Sequence, residues 1–372
     1  IQSGIVTLAD HVLDDKTISG QPYEKAIVRF IVNEGTDDGI YGVGGKTDRA
    51  WKDTSLIKAY TSYYLSKQTG STDLCYLSGK EGMRTENHPK GIVAANYGAK
   101  LVSANDNQGF TYRGRFQNAN QAYALSYEAS QKIHSALTWL VKKQGVFVGT
   151  KEKRTFLCWN PGGKKTPDIL DPFAGLVDEE EDNAASFVLY KKKLIKTMMG
   201  YQEQFGKDDD IIVMALDAAT TGRLSVTYYN EFAASDFLDR IQYWGETCSW
   251  QFLGFTPEKK AYYKIEAPLF EKIVKCAFGC EQGAFIDVND KVLKEQVQRL
   301  TKCMLERQPM PRDVMDALVG KASNPLAYSR GNRERVLSTA CAVIAKYRID
   351  RGLTEKGEEM KLDIKNEDRS YL

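Results

Sequence analysis

The clearest pattern of apolar and polar positions lies between residues 211 and 229. Residues 211–216 form an uninterrupted apolar run, which is typical of a buried strand. Residues 218–222 are small and end in a glycine, so they predict a turn. Residues 223–229 alternate between apolar and polar side chains, which predicts a second strand and hence a β-hairpin. The predicted apolar face of this second strand consists of Leu224, Val226 and Tyr228.

Apolar residues at helical spacing recur on both sides of the hairpin. They predict helices at residues 56–66, 118–144, 184–205, 235–244, 269–278, 288–305, 313–321 and 333–347. Further strands are predicted at residues 26–32, 146–148 and 155–160. The last four helices follow one another, which is typical of a helical bundle. The sequence therefore predicts an α+β fold: an irregular mixed α/β body with antiparallel hairpins, followed by a C-terminal helical bundle.

The length of 372 residues fits one large domain or two smaller ones. An acidic run at residues 178–182 is typical of a solvated linker or a helix start. We therefore predict a mixed α/β body over residues 1–265, with a sub-boundary near 178–183, and a helical bundle over residues 266–372. Because the chain opens without methionine, we expect it to be a piece of a longer protein.

Positive and negative charges nearly cancel over the whole chain, which carries a net charge of +2. Any basic surface for nucleic acid therefore has to be local. Seven cysteines without a CxxC pair and only three histidines argue against both a disulfide scaffold and a zinc site. No apolar run reaches the length of a membrane span, and no secretory leader is evident. We expect a cytoplasmic protein that binds no metal and no other cofactor.

A local excess of positive charge lies between residues 79 and 143, where nine Lys or Arg accompany four Asp or Glu. Within it, residues 74–116 combine basic, amide and aromatic side chains, a mixture that suits single-stranded or deformed nucleic acid. Arg223, at the mouth of the predicted hairpin beside Tyr228 and Tyr229, adds a further cation. The candidate phosphate contacts are Lys90, Lys100, Arg113, Arg115 and Arg223. The candidate base or sugar contacts are Asn107 and Gln108, and the candidate stacking residues are Phe110 and Tyr112.

The same residues also permit a structural interpretation. Residues 74–116 would then form a long surface loop that folds over the core and uses its arginines for salt bridges. The residue pattern favours neither interpretation over the other, so both stay open at this point.

Catalytic motifs are missing from the sequence, which has no HExxH, no GxSxG and no P-loop. Residues 208–210 offer three carboxylates to a metal, yet such a run before a strand more often caps or solvates a turn. Asp217 is placed to pair with Arg223 across the hairpin, and His134 is predicted to be a partly buried helix histidine. Because no nucleophile, base and orienting group come together, we expect a protein without catalytic activity.

Several long blocks of the sequence occur in the order found in one protein family. They are NHPKG at residues 87–91, SANDNQGFTYRGRF at 103–116, SYEASQKIHSALTWL at 126–140, LDAATTGRLSVTYY at 216–229 and PMPRDVMDAL at 309–318. On these blocks the chain resembles the large subunit of the type I-C CRISPR Cascade surveillance complex, a Csd-type CRISPR-associated family. The resemblance covers most of the chain.

The resemblance implies a non-catalytic, DNA-binding subunit of an antiviral defence complex. Such a subunit supports recognition of the protospacer-adjacent motif, stabilises the R-loop by holding the displaced strand, and recruits the helicase-nuclease. The implied partners are the Cascade backbone and guide-RNA-capping subunits with their crRNA, double-stranded target DNA, and small subunits similar to this chain's own C-terminal bundle. The guide RNA would select the sequence, while the protein reads a short motif and contacts the DNA backbone.

Two other hypotheses remain at this stage. The chain could be a structural assembly module that contacts guide RNA or neighbouring subunits without binding DNA, and its nearly neutral total charge favours this reading. A third hypothesis is a nuclease that uses a metal held by residues 208–210.

Overall fold

The structure of the chain is a computed structural model. It describes residues 17–18, 21–22, 50–93, 97–103, 124–151, 153–174, 176, 186–206, 208–220, 222–255 and 260–354. The chain divides into two compact units, Ile1–Ser71 and Thr72–Leu372. The boundary at residues 265/266 and the sub-boundary near 178–183 stay predictions. The strand predicted at residues 26–32 lies outside the described residues.

The first unit contains a short hairpin, a three-residue 3-10 helix (Ala50–Lys52) and one α-helix within its described residues. The hairpin strands are β1 (Thr17–Ile18) and β2 (Gln21–Pro22). Helix α1 is Thr54–Lys67, which confirms the helix predicted at residues 56–66. It begins after Asp53, because the Asp53 carboxylate accepts hydrogen bonds from the backbone N–H groups of Ser55 and Leu56 at 2.8 and 3.3 Å. No residue of α1 is buried, so its apolar side chains are exposed or partly exposed to solvent.

The second unit begins with a small hairpin and is built around a four-stranded antiparallel sheet. The hairpin strands are β3 (Thr72–Leu74) and β4 (Glu81–Met83). The sheet strands, in spatial order, are β5 (Val146–Val148), β6 (Arg154–Trp159), β7 (Asp210–Thr220) and β8 (Arg223–Ala233). The predicted hairpin is thus confirmed as β7–β8. Its turn is shorter than predicted, because β7 continues through Ala218 to Thr220.

The predicted apolar face of β8 is wrong. The register of β7 and β8 shifts by one residue at Thr227, where β8 has a bulge. A bulge of one residue moves all following side chains to the opposite face of the strand. Leu224 consequently lies in one core cluster and Tyr228 packs against another. Val226, which precedes the bulge and pairs with Leu216, is exposed. The alternation in the sequence therefore does not correspond to a single buried face.

Helices surround the sheet in the described part of the second unit. They are α2 (Tyr127–Gln144), α3 (Phe187–Gln202), α4 (Ala234–Thr247), α5 (Phe270–Phe278), α6 (Asp290–Leu305), α7 (Arg312–Ala322) and α8 (Arg330–Asp350). Two more hairpins are formed by β9 (Trp250–Phe255) with β10 (Ala261–Glu266), and by β11 (Cys280–Gln282) with β12 (Phe285–Asp287).

Each predicted helix is confirmed, but α2 begins later than residue 118. It begins after Ser126, whose side-chain oxygen accepts a hydrogen bond from the backbone N–H of Ala129 at 3.3 Å.

Hydrophobic residues cover both faces of the sheet. Ile211, Val213 and Ala215 of β7 belong to a core that the C-terminal helices share. Leu216 and Ala218 belong to a second cluster, in which α2 participates. Successive strand residues point to opposite faces, so one strand contributes to both clusters. The predicted α+β class, with a mixed body and C-terminal helices, is confirmed.

Two glycines inside helices give opposite predictions for stability. A methyl group at Gly245 in α4 would lie 2.7 Å from Phe173 Cε1 and 2.9 Å from Leu194 Cδ2, whereas a methyl at Gly200 in α3 meets nothing within 4 Å. We expect Gly245→Ala to destabilise the protein by about 1–3 kcal/mol through overpacking. Gly200→Ala should stabilise it by about 0.5–1 kcal/mol, because alanine favours the helix. Urea unfolding measures both changes, and shifts of the same sign would contradict this account.

Candidate nucleic-acid interface

Three of the predicted phosphate contacts lie side by side at the turn of the β7–β8 hairpin. The backbone N–H of Lys100 donates to the Gly222 carbonyl at 3.2 Å, and the N–H of Leu224 donates to the Lys100 carbonyl at 3.0 Å. This pairing places Lys100 beside Arg223, and Lys90 pairs antiparallel with Lys100. Lys90, Lys100 and Arg223, which we call the basic cluster, therefore occupy adjacent extended segments.

The side chains of the basic cluster carry unbalanced positive charge. Directly paired residues lie about 4.5–5.5 Å apart at their Cα atoms, with side chains on the same face, and like charges in such pairs are destabilising. Lys90 and Arg223 are exposed, and Lys100 is partly exposed. Within the described residues, none of the three forms an ion pair with a carboxylate. An anion bound between them would relieve the repulsion.

Packing fixes the backbone that carries the basic cluster. Ile92 and Ala99, which lie in the chain between the two lysines, are buried in the same core cluster as Leu224. The segment turns at Gly91, whose φ of +81° is readily accessible to glycine but strained for other residues. The cluster is consequently held on a rigid support, which reduces the entropy lost when a ligand is bound.

A buried polar group holds the residues that precede this segment. His88 Nδ1 is 2.8 Å from Ser130 Oγ, and His134 Nδ1 donates to the Ser130 carbonyl at 2.6 Å. The two imidazole rings are stacked with their centroids 5.9 Å apart. These contacts attach the residues before Lys90 to helix α2. The side chain of His134 is only 1% exposed, so the prediction of partial burial underestimated its burial.

The pKa of His88 gives a prediction about pH. Burial lowers this pKa from its ordinary value of 6.5 to about 4, and His134 and the Lys100 cation act in the same direction. Between these two values the unfolded chain binds a proton that the folded chain does not, so stability falls as the pH is lowered through this window. The contribution has a slope of at most about 1.4 kcal/mol per pH unit.

The measurement is urea unfolding of the wild-type protein and of His88→Gln at neutral pH and at about pH 5. Other groups that titrate in this range contribute equally to both proteins. We expect the variant to lose less stability than the wild type on acidification. Equal losses would show that His88 does not titrate differently in the folded state.

The predicted ion pair between Asp217 and Arg223 is wrong. Asp217 lies opposite Arg154 of β6, and its Oδ2 atom is 2.7 Å from Arg154 Nη2 and 3.3 Å from Lys294 Nζ of α6. All three side chains of this group are buried. Across the hairpin, Asp217 faces Ser225 instead, because the register pairs Arg223 with Thr220. The Asp217 carboxylate is therefore not available to neutralise the basic cluster.

The structure also tests the predicted positions of two tyrosines and of the carboxylates at residues 208–210. Tyr228 and Tyr229 do not lie beside Arg223, because they pair with Ala215 and Met214 further along the hairpin. Among the three carboxylates at residues 208–210, Asp209 accepts a hydrogen bond from the backbone N–H of Gly206, as expected for a carboxylate that stabilises a turn. In the described ranges, no group of three or more His, Cys, Asp or Glu side chains is arranged to hold a metal ion.

The remaining predicted contacts fall in a stretch that the structure does not describe. Asn107, Gln108, Phe110, Tyr112, Arg113 and Arg115 all lie outside the described residues. Residue chemistry had not identified His88 and Ser130 as supports of the basic cluster. One feature of the sequence could have indicated part of this role: Ser130 and His134 are four residues apart, which places both on one helix face.

Comparisons with known proteins place the chain in a family. No helix among the described residues is long and apolar enough to cross a membrane. A comparison with curated proteins found no match. The family described as CRISPR-associated protein (Cas_Csd1) matches residues 11–372, which is nearly the whole chain. The chain thus belongs to the Csd1 family of CRISPR-associated proteins.

Proposed function

We propose that the chain is the non-catalytic, DNA-binding large subunit of a type I-C CRISPR Cascade complex. The observation that carries this proposal is the basic cluster. Lys90 and Lys100 lie ten residues apart, Arg223 comes from a distant part of the sequence, and backbone pairing places the three side by side. None of them has a carboxylate partner within the described residues. Placing three like charges together costs stability, and binding an anionic ligand would offset that cost.

The chemistry of the basic cluster fits the phosphate backbone of a nucleic acid. Lysine and arginine contacts to phosphates position a strand without reading its sequence. In a complex that carries a guide RNA, base pairing selects the target, and a protein subunit needs only short-motif and backbone contacts. The subunit would thereby support recognition of the protospacer-adjacent motif and stabilise the displaced strand of the R-loop.

The other components of the proposal rest on the resemblance to a type I-C large subunit, which membership of the Csd1 family supports. The chain would act in the cytoplasm with the backbone and guide-RNA-capping subunits, their crRNA and small subunits, and it would help to recruit the helicase-nuclease. Asn107, Gln108, Phe110, Tyr112, Arg113 and Arg115 stay predicted contacts that would extend the surface beyond the basic cluster.

Photocrosslinking of the assembled complex tests the proposal. Target DNA with photoreactive thymidine analogues in either strand is bound and irradiated, and the crosslinked peptides are identified by mass spectrometry. We expect crosslinks on peptides that contain Lys90, Lys100 or Arg223. Crosslinks that reach other subunits but leave these peptides unmodified would favour the alternative, an assembly module without direct DNA contact.

A further inference from the structure

Helix α2 carries an exposed tryptophan on the face that points away from the protein. The buried residues of α2 are Ser130, His134, Leu137 and Val141. At about 100° per residue, Trp139 lies nearly opposite this buried stripe, and it is 57% exposed. A tryptophan offers a large ring with an apolar body and one N–H donor, a shape suited to contact with a partner. For contrast, Trp244 in α4 is fully buried.

The neighbours of Trp139 on this helix face leave its ring accessible. Ser135 and Ala136, one turn earlier, are too small to cover the indole. Lys142 and Lys143, one turn later, are exposed. In the part of the chain that the structure describes, neither lysine forms an ion pair with a carboxylate. The result is one open aromatic ring with two unneutralised cations beside it.

This combination favours a nucleic acid over a protein as the partner. The centre of a stable protein interface is typically a contiguous apolar area, whereas Trp139 is the single large apolar side chain at the centre of this face. Helix α3 is different, because it exposes Val188, Ile195 and Met199 along one side. Single-stranded nucleic acids are held by an aromatic ring that stacks on a base and by cations that contact the adjacent phosphates.

We propose that Trp139, Lys142 and Lys143 form a second nucleic-acid site, in which the indole stacks on an unpaired base and the lysines contact neighbouring phosphates. This inference rests on the proposed nucleic-acid-binding function and adds to it three residues on α2 that would contact an unpaired strand. Unpaired DNA and unpaired RNA share the required chemistry, so the probes are oligo-dT and oligo-U.

Binding of labelled oligo-dT and oligo-U to the purified full chain tests the site. We expect Trp139→Ala to weaken binding roughly tenfold, while Trp139→Phe keeps most of the affinity, because stacking needs a ring. Phe285→Ala is the matched control, since Phe285 is 70% exposed and lies in the β11–β12 hairpin, away from α2 in sequence. This control should bind like the wild type. Preference for one oligonucleotide identifies the strand type.

The lysines are tested through salt dependence. Replacing Lys142 and Lys143 by alanine should lower the slope of log affinity against log salt by about 0.7 for each lost phosphate contact. Equal affinity of wild type and Trp139→Ala, or no binding of either oligonucleotide by the wild type, would overturn the site. An effect of Trp139→Ala on subunit assembly alone, with unchanged oligonucleotide binding, would overturn it in favour of a protein contact.

Failure of this site and failure of the proposed function give different results. Variants of the basic cluster are measured on duplex target DNA in the assembled complex, whereas variants of Trp139 are measured on oligonucleotides with the isolated chain. If the basic cluster has no effect but Trp139→Ala weakens oligonucleotide binding, the site on α2 stands and the role assigned to the cluster fails. If variants of the basic cluster weaken binding of duplex DNA but Trp139→Ala leaves oligonucleotide binding unchanged, the site on α2 is rejected and the proposed function stands.

Discussion

Replacing Lys90, Lys100 and Arg223 together by alanine should weaken binding of target DNA by the assembled complex by roughly two orders of magnitude at physiological salt. Each phosphate contact contributes about 0.9 to the slope of log affinity against log salt, so the slope should fall by about 2.7 when all three are lost. The three side chains are adjacent and have no carboxylate partner in the described residues, so their charges are available to the DNA. Affinity measured over a range of salt concentrations gives both quantities.

A charge-conserving variant is the control for this experiment. Lys90→Arg, Lys100→Arg and Arg223→Lys in one protein keep the three positive charges and the same backbone. This protein should retain most of the affinity and nearly the wild-type slope. If the alanine variant assembles normally and its slope is unchanged, the basic cluster does not contact phosphates.

Asp217→Ala should destabilise the protein by about 3–5 kcal/mol. The variant leaves the guanidinium of Arg154 and the ammonium of Lys294 buried without their shared carboxylate. Arg154 retains hydrogen bonds to the Lys294 carbonyl and to Glu295. Because Glu295 is half-exposed, its charge replaces only part of the stabilisation that the Asp217 carboxylate gives to Arg154. Thermal or urea unfolding measures the loss.

Glu295→Gln is the matched control, because Glu295 contacts the same Arg154 guanidinium from the solvent side. An exposed ion pair contributes little, so this variant should lose less than about 1 kcal/mol. A second comparison replaces Arg154, Asp217 and Lys294 together by apolar residues of similar volume, which should recover part of the stability lost in Asp217→Ala. Similar losses for Asp217→Ala and Glu295→Gln would contradict the view that the buried carboxylate holds β6, β7 and α6 together.

Periodicity was sufficient to predict the described helices and the strands of the four-stranded sheet, but it did not predict the hairpins β3–β4, β9–β10 and β11–β12. The apolar run at residues 211–216 and the helical stripes are properties of single segments, and the strands and helices formed where they predicted. The bulge at Thr227 was not predictable in the same way, because one extra residue leaves the alternation of the sequence intact while reversing the buried face. The start of α2 was missed because apolar spacing continued upstream of its cap at Ser126.

Residue types identified the members of the basic cluster but could not predict how they are arranged. Residue chemistry identified Lys90, Lys100 and Arg223 separately, but their adjacency depends on backbone pairing between distant segments. The ion-pair partners of Asp217 were not predicted for a similar reason: Lys294 lies on a helix much later in the chain. The full burial of His134 was not predicted because histidine is polar, although its position in the helix places it on the same side as the buried Leu137 and Val141.

A cryo-electron microscopy structure of the assembled complex with target DNA bound would show whether the basic cluster contacts the DNA backbone. We expect phosphate oxygens of the target at hydrogen-bond distance, about 2.7–3.2 Å, from the Lys90, Lys100 and Arg223 side chains. A map in which these side chains face only solvent, guide RNA or neighbouring subunits while target DNA is bound would contradict this expectation.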